Sequence, residues 1–480
     1  MKENLHRKKR RLNKQILKAK TQNKKQRLFN KLITVEAELH KLYRQTKTYE
    51  EAKAVNSINE NTKYFFSYAK RKSKIKSKIG PLLNKITGEM TIDSVEMADI
   101  LAEQYSSVFS IPAAQPPLIS TDAAPINNIE ISQADLINAI DEIKPTAAAG
   151  PDGIPAILLK KCKNALAEPL TTLWNKCMET SQIPSSLKEA IIPPIHKGGS
   201  KADPANYRPV ALTSHLIKIY EKTIRNRLTK HLDQQELLNQ NQHGFRPGRS
   251  CLTQLLAHFD NIVSLLEDGQ NVDVIYLDFS KAFDKVDHNI LLTKLSSIRI
   301  NGKTLRWIQE FLTNRTQRVM VNGKLSAPHE VKSGVPQGSV LGPLLFLVLI
   351  NDIDKDTLHS LIASFADDTR ATHGIKNQMD ASNLQNDLFQ IYHWSNMNNM
   401  KFNSLKFELL RYGKDKDLKE NTSYVTPDWD LIEQKDTVKD LGVSMSADNT
   451  FKAHIANIAE SAKKMASWVL RILKPERVPQ

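Results

Sequence analysis

The sequence predicts a fold of the α+β class, because strand-like and helix-like segments alternate along its 480 residues without a regular βαβ period. Hydrophobic residues make up 40% of the chain, which is enough for two or three packed units and argues against intrinsic disorder. A basic segment with helical periodicity precedes these mixed segments. We therefore expect a globular α+β protein with a basic helical arm at its N-terminus.

The positive charge is concentrated in the N-terminal segment. The chain has a formal net charge of +16, and residues 1–80 contain 24 Lys and Arg against 6 Asp and Glu. Apolar residues in the same segment are spaced four and three positions apart and form one helical stripe: Leu28, Leu32, Val35, Leu39 and Leu42. This pattern predicts a basic helical arm over residues 1–110, and the charge favours an acidic polymer as its partner.

Residues 63–72, KYFFSYAKRK, interleave aromatic and cationic side chains. Such a segment can stack on bases and neutralise phosphates, or it can be an amphipathic helix that docks its aromatic rings on the core; both can hold at once. Residues 111–130 contain prolines and lack either periodicity, which predicts a linker.

Several classes of protein are disfavoured. The three cysteines, Cys162, Cys177 and Cys251, are widely spaced and form no CxxC pair, which argues against a disulfide framework, a disulfide-linked partner and a zinc knuckle. The longest apolar stretch, residues 341–350, is too short to span a bilayer, so no membrane association is expected. We expect an intracellular protein, and the sequence leaves the choice between nucleus and cytoplasm open.

The elements after the linker follow from caps and periodicity. Ser132 and Asp135 match a capping box, which predicts a helix through Ile143. The other predicted elements are, in chain order, helices at 156–180, a strand at 190–195, a helix at 216–238, a strand at 272–277, and helices at 281–295 and 304–312.

Two acidic signals mark a candidate site. Asp278 ends the predicted strand 272–277, and Asp367 and Asp368 interrupt an apolar run at a predicted hairpin tip. Two divalent cations would compensate such carboxylates, and phosphoryl transfer uses a metal pair roughly 4 Å apart. The alternative is that the Asp-Asp pair simply marks a turn.

Three segments in chain order resemble the A, B and C motifs of reverse transcriptases, specifically those of non-LTR retrotransposons of the jockey type. They are residues 276–287 (YLDFSKAFDKVD), 333–343 (SGVPQGSVLGP) and 365–368 (FADD). Residues 149–155, 194–209 and 242–248 resemble the fingers motifs of the same family.

The resemblance covers roughly residues 130–470 and implies a domain organisation. It implies a right-hand polymerase, with a palm built on a small antiparallel sheet and helical fingers, at residues 131–413. A primer-grip hairpin and the start of a truncated thumb are expected at residues 414–480. Residues 1–115 resemble the tether that joins an endonuclease to the polymerase in this family, and no nuclease domain is expected in this chain.

The resemblance also implies roles for individual residues. Asp278 and Asp367 match the metal ligands, with Asp368 beside them, and the expected cofactor is a pair of Mg²⁺ ions for which Mn²⁺ can substitute. Lys406 matches a lysine that protonates the leaving pyrophosphate. The residues that match nucleotide or template contacts are Lys197, Arg208, Arg246, Phe283, Gln337 and Gly338.

Two of these assignments have plainer alternatives. Lys197 and Arg208 can instead be solvated surface cations, whereas phosphate contacts would use their charge. Phe283 can be an ordinary core residue, whereas the family role would be to crowd a ribose 2′-hydroxyl and favour deoxynucleotides.

The predicted function is RNA-directed DNA synthesis, with an RNA template, a DNA or RNA primer and dNTPs as partners. The alternative is a catalytically inert remnant of such an element, which binds RNA through its basic arm. A group II intron maturase is disfavoured, because the sequence shows no maturase or HNH-like segment after the polymerase motifs.

Overall fold

The computed structural model describes residues 2–72, 79–110 and 123–473. The chain divides into two compact units, one formed by residues 1–77 with 455–480 and the other by residues 78–454. Residues 111–122, most of the predicted linker, lie outside the described residues. The boundary between the two units, at residues 77 and 78, lies before residue 110, where the predicted arm ends.

The helices and strands of the described residues have the following bounds. The helices are α1 Lys2–Lys18, α2 Gln22–Asn56, α3 Thr62–Lys72, α4 Ser94–Ser106, α5 Gln133–Asp141, α6 Ala156–Lys161, α7 Lys163–Thr180, α8 His215–Gln234, α9 Cys251–Glu267, α10 His288–Ser297, α11 Gly302–Leu312, α12 Gly342–Ile350, α13 Gln378–Met397, α14 Lys416–Glu420 and α15 Lys452–Ile472. The strands are β1 Leu82–Leu83, β2 Met90–Thr91, β3 Glu189–Ile192, β4 Pro194–His196, β5 Tyr207–Pro209, β6 Asn271–Leu277, β7 Arg315–Val321, β8 Lys324–Leu325, β9 His329–Val331, β10 Leu361–Phe365, β11 Asp368–Ile375, β12 Glu408–Tyr412, β13 Glu433–Lys435, β14 Thr437–Asp440 and β15 Val443–Ser446.

The first unit is helical. The predicted apolar stripe lies on α2, where Leu32, Val35 and Leu39 are buried against Leu12 of α1. The basic residues of both helices surround this narrow seam, because two helices can bury only one stripe each. The prediction of a helical basic segment is confirmed for residues 2–56.

The aromatic residues of α3 pack mainly inside the same unit. Phe65 and Tyr68 are buried in a cluster with Trp468 of α15. Phe66 is partly exposed and stacks on Trp468, with ring centroids 6.2 Å apart. The docking interpretation therefore accounts for Phe65 and Tyr68, and these two rings are not available for stacking on bases.

The second unit is built on a five-stranded sheet with the order β10-β11-β6-β12-β13. All neighbouring strands are antiparallel except β12 and β13. The central strand β6 is buried on both faces, which explains its nearly continuous apolar sequence. Its one charged side chain, Asp273, accepts a hydrogen bond from Tyr424 at 2.6 Å and lies 3.4 Å from the buried Arg411. The prediction of a mixed fold with a small, mostly antiparallel sheet is confirmed.

A second sheet of the same unit contains β3, β7, β8 and β9. Helix α4 packs on it through Met97, Leu101 and Tyr105, which are buried with Val319 and Val321 of β7. This packing is why α4 belongs to the second unit and not to the predicted arm.

Three other predicted elements differ from the structure. The last part of the predicted linker, residues 126–131, is packed into the core and forms a bridge to Ile300. The predicted strand at 190–195 is two strands in different sheets, β3 beside β7 and β4 beside β5, because Pro193 interrupts the ladder. The predicted helix at 281–295 begins only at His288, where the side chain of Asp287 caps its N-terminus.

The apolar stretch at residues 341–350 forms helix α12, which is buried in the protein core. Among the residues that the structure describes, no helix is both long enough and apolar enough to cross a membrane.

Candidate active site

The register of the central sheet brings the predicted acids together. Thr369 of β11 pairs with Leu277 of β6, so the next residues outward, Asp368 and Asp278, are neighbours at the same end of the sheet. Asp367 lies in the two-residue turn between β10 and β11. Asp278 therefore meets Asp367 and Asp368, which lie 89 and 90 positions later in the sequence, at one end of the sheet.

These carboxylates share a crowded electrostatic environment. Burial raises the pKa of Asp367, and the charge of Asp278 raises it further. Burial likewise raises the pKa of Asp368 to about 6, and the charges of Asp367, Asp278 and Asp440 add to this shift. The raised pKa values thus reflect burial first and the repulsion among these carboxylates second.

Cations partly offset this repulsion: the charges of Arg208 and Lys197 lower the pKa of Asp367, and Lys406 forms an ion pair with Asp278. The ammonium group of Lys406 lies 2.9 Å from Oδ2 of Asp278. Lys406 follows Asn403, whose backbone N–H donates to the carbonyl oxygen of Asp278 at 2.8 Å. The short segment around Lys406 is therefore fixed against the end of β6.

The donor set at this sheet end fits divalent cations. Asp278 and Asp367 offer the carboxylate oxygens that hard cations prefer, and their electrostatic crowding favours a bound cation. No group of three or more His, Cys, Asp and Glu side chains suited to a metal occurs within residues 2–72, 79–110 and 123–473. Mg²⁺ is commonly held by only one or two carboxylates, with substrate phosphates and water as its other ligands, so two carboxylates fit a site of this kind.

The acids open into a cleft of about 770 Å³. The β4–β5 hairpin forms one wall and contributes Lys197 and Arg208, both exposed. The sequence-predicted residues that line the cleft are Lys197, Arg208, Asp278, Phe283, Gln337, Gly338, Asp367 and Lys406. Eight of the ten predicted site residues are therefore gathered around one cavity that is open to solvent.

The loop of residues 333–343 forms another wall of the cleft and is held from two sides. Nε2 of Gln337 donates to Oδ1 of Asp284 at 2.8 Å, which orients the amide. Gly338 has φ of 123°, and a Cβ there would lie 2.4 Å from the carbonyl oxygen of Ala211. The buried carboxylate of Glu221 accepts from two backbone N–H groups at the start of α12. This loop therefore approaches the cleft with its backbone in a fixed conformation.

Phe283 lies between the core and the cleft. Its ring stacks on the buried ring of Phe346 of α12, with the two centroids 4.5 Å apart. Phe283 also lines the cleft. Phe245 approaches Phe283 edge-on, with centroids 6.2 Å apart. Phe283 is thus supported by the core and also lines the cleft.

Arg246 lies away from the cleft. Its Nη1 donates to the carbonyl oxygen of Asn239 at 2.7 Å, and its guanidinium lies 3.7 Å from Asp233. These contacts are with its own loop and the end of α8, so they give it a structural role. Its neighbour Phe245 lines the cleft instead and is 54% exposed.

Asp368 also lies outside the cleft. It lines a smaller cavity of about 360 Å³ on the other side of Asp278, together with Arg370 and Asp440. Asp278 and Lys406 border both cavities.

Sequence reasoning missed other residues of the cleft. Lys281 contributes a further cation, and burial lowers its pKa together with the charges of Lys197, Arg208 and Lys406, whereas Asp284 raises it. Lys281 and Asp284 both lie within the A-like motif, which was the available signal. Their proximity to Gln337 depends on long-range packing that the sequence does not reveal.

His243 lies in the same loop as Arg246, and its lowered pKa predicts that the stability of the folded protein falls at acidic pH. Burial and the charges of Arg249, Arg246 and Arg370 lower its pKa to about 4. Between pH 6.5 and 4 the unfolded chain binds a proton that the folded chain rejects, so acidification through this window destabilises the fold. After discounting for screening by solvent, the loss of unfolding free energy across this window should be about 1–2 kcal/mol.

The measurement is the free energy of urea-induced unfolding of the wild type and of His243→Gln from pH 7 to pH 4. The wild type should lose more stability on acidification than the variant does. Parallel profiles for the two proteins would contradict this account.

The comparison with known families gives the class of the protein. A sequence profile described as reverse transcriptase (RNA-dependent DNA polymerase) matches residues 195–445, which is more than half of the chain and contains all ten predicted site residues. The chain belongs to this family. The predicted resemblance is therefore confirmed.

The curated relatives refine the comparison. The chain is 29% identical over 352 residues to the RNA-directed DNA polymerase from mobile element jockey of Drosophila melanogaster, which covers 71% of this chain and 38% of that protein. It is 28% identical over 345 residues to the probable RNA-directed DNA polymerase from transposon BS of the same species, covering 69% of this chain and 37% of the relative. For the probable RNA-directed DNA polymerase from transposon X-element, also of that species, the identity is 28% over 318 residues, or 65% and 34% of the two chains. The chain thus spans well under half the length of these relatives.

Proposed function

We propose that this chain is an RNA-directed DNA polymerase of a jockey-like non-LTR retrotransposon, which adds dNTPs to a primer 3′-hydroxyl on an RNA template. The single observation that supports this most strongly is the cleft, which gathers the paired acids with cations, an aromatic ring and a fixed loop backbone. Membership of the family supports the same reaction.

The acids would hold the cofactor. Reverse transcriptases depend on divalent cations, and we propose two Mg²⁺ ions, with Mn²⁺ able to substitute, held by Asp278 and Asp367. When bound, such a pair activates the primer hydroxyl and stabilises the charge of the transferred phosphoryl group. Asp368, which faces the smaller cavity, would contribute charge beside the primer end.

The cations would hold and neutralise the triphosphate. Lys197 and Arg208 belong to the β4–β5 hairpin and line the same cleft as Asp278, and their charges lower the pKa of Asp367. A nucleotide in this cleft would have its phosphates between positive side chains and the acids that hold the metals. The primer oxygen would attack the α-phosphorus, and the bond from that phosphorus to the bridging oxygen would break.

Lys406 would supply the proton that the leaving pyrophosphate needs. Its ammonium group already lies in the cleft beside Asp278, and it would be released when cations bind there. Replacing it with Gln should lower kcat roughly 100-fold, because the leaving group must then take its proton from water. The KM for dNTP should change much less.

Single-turnover primer extension measures this effect, with Lys376→Gln as a control at an exposed lysine beyond the end of β11. Equal rates for Lys406→Gln and the control would exclude Lys406 from proton transfer.

For the fold, we propose that the five-stranded sheet is the palm, that the elements from α5 to α9 supply the fingers, and that the β14–β15 hairpin is the primer grip. Three features support this assignment: the acids lie on the sheet, the cations on the β4–β5 hairpin, and Asp440 at the end of β14 lines the cavity beside Asp368.

The proposal is tested by comparing the incorporation of dNTPs and of rNTPs on an RNA template. Purified protein should incorporate dNTPs on an RNA template in Mg²⁺, and far less rNTP. RNA binding that weakens steeply with salt, without any incorporation, would instead select the remnant that only binds RNA. The observation that favours this second function, RNA binding alone, is the basic surface of α1 and α2.

A further inference from the structure

The turn that carries Asp367 has a backbone conformation that its sequence disfavours. Two residues, Ala366 and Asp367, join β10 to β11. Ala366 has φ of 57°, in the left-handed region, where a side chain with a Cβ is unfavourable. Glycine is the usual residue where a two-residue hairpin turn needs this conformation. Ala366 must therefore be held in place by contacts from elsewhere in the fold.

One side chain binds both polar backbone groups of Ala366. Oε1 of Gln242 accepts from the N–H of Ala366 at 2.9 Å, and Nε2 of Gln242 donates to its carbonyl oxygen at 3.3 Å. Gln242 and Ala366 are both buried, 4% and 5% exposed. Loss of this amide would leave buried backbone groups unpaired, which is unfavourable.

Gln242 is itself held by the backbone around it. The N–H of Gly244 donates to the same Oε1 at 2.8 Å. The backbone of residues 241–243 pairs with Ser364 of β10 through two hydrogen bonds of 3.0 and 3.1 Å. A Cβ on Gly244 would lie 2.3 Å from the nitrogen of Ala366, so only glycine allows the approach. The loop is thus fitted to the turn and not merely adjacent to it.

We propose that Gln242 is a positioning residue that holds Ala366 in its left-handed conformation and so directs the carboxylate of the next residue, Asp367, into the cleft. The inference rests on the proposed function, because it assigns Asp367 to catalysis. Gln242 acts through the turn and does not contact the cleft itself: the residues that line it include Phe245 of the same loop but not Gln242.

The test compares Gln242→Met, which keeps the volume and removes both polar groups, with Gln317→Met, a buried glutamine of β7 in the other sheet. Primer extension by the full chain should show kcat lowered 10- to 100-fold by Gln242→Met, because a displacement of about 1 Å at a reacting group has this effect. The KM for primer-template should stay within about twofold, and Gln317→Met should retain wild-type turnover.

A second substitution separates positioning from general damage. Ala366→Gly, introduced into Gln242→Met, should recover much of the lost turnover, because glycine adopts the left-handed conformation without support. A variant that was only poorly packed would gain nothing from this change. Turnover of Gln242→Met equal to the wild type, or no recovery in the double variant, overturns the proposal.

Hydrogen–deuterium exchange of the backbone amides of residues 362–370 tests the role of Gln242 without any measurement of activity. Gln242→Met should accelerate exchange in this segment and leave the segment of β7 unchanged. If the wild-type protein incorporates no dNTP, the proposed function fails, and exchange alone then decides whether Gln242 holds the turn. Unchanged exchange at residues 362–370 counts against it in either case.

Discussion

Replacing Asp367 with Asn is expected to abolish primer extension, by at least about 1,000-fold, and at the same time to stabilise the metal-free protein. Activity falls because the cleft loses a carboxylate that holds the cations. Stability rises because burial and the charge of Asp278 oppose ionisation of Asp367, so a neutral side chain relieves repulsion in the folded state. The gain should be about 1 kcal/mol. Opposite effects on activity and stability distinguish a functional carboxylate from a turn residue.

Urea-induced unfolding in EDTA and primer extension in Mg²⁺ measure the two effects. Asp260→Asn is a suitable control, since Asp260 is an exposed carboxylate on α9, away from the residues that line the cleft. If Asp367→Asn lost stability and kept activity, the pair would merely mark a turn, as the plainer interpretation of the sequence allows.

The second large effect is expected on the discrimination between ribonucleotides and deoxyribonucleotides. Phe283→Val should lower discrimination against rNTPs roughly 10- to 100-fold, because the ring is held rigidly by Phe346 and a smaller side chain leaves room for a 2′-hydroxyl. The effect should appear in kcat/KM for rNTP, with kcat/KM for dNTP changed far less.

Phe346→Leu provides the matched control for this experiment. It removes the ring beneath Phe283 without shortening the side chain that faces the cleft, and should cost stability without admitting rNTPs to the same degree. Equal discrimination by the wild type and Phe283→Val would assign Phe283 to the core alone.

The parts of the fold that the sequence predicts well are those with local causes. The β-rich run at residues 272–277 identifies β6, and the capping box at Ser132 identifies the start of α5. The acids of the site stand out because Asp278 ends a strand-like run, while Asp367 and Asp368 interrupt an apolar run, where an unpaired carboxylate is costly. Motif order along the chain then predicted that they would meet.

The parts that the sequence did not reveal depend on distant partners. Ile126 pairs with Ile300, so a segment without periodicity is nevertheless part of the core. The family resemblance assigns Arg246 to substrate binding, whereas in the structure Asn239 and Asp233 bind it within the protein. Neither partner can be inferred from residue type or spacing.

The contacts of Gln242 likewise depend on a partner that is distant in the sequence. Its sequence neighbours predict a loop near the nucleotide, whereas its amide binds Ala366, more than 120 positions later. A positive φ at a residue with a Cβ becomes visible only in the structure, and so does the side chain that holds it.

The most direct test of the central claim is extension of an oligo(dT) primer on poly(rA) by the purified full chain, with Mg²⁺ and with EDTA, beside Asp278→Ala. We predict incorporation of dTTP that requires the cation and is lost in the variant although the variant remains folded. Incorporation that survives Asp278→Ala, or none by folded wild type in Mg²⁺ or Mn²⁺, would contradict the assignment of this cleft to RNA-directed DNA synthesis.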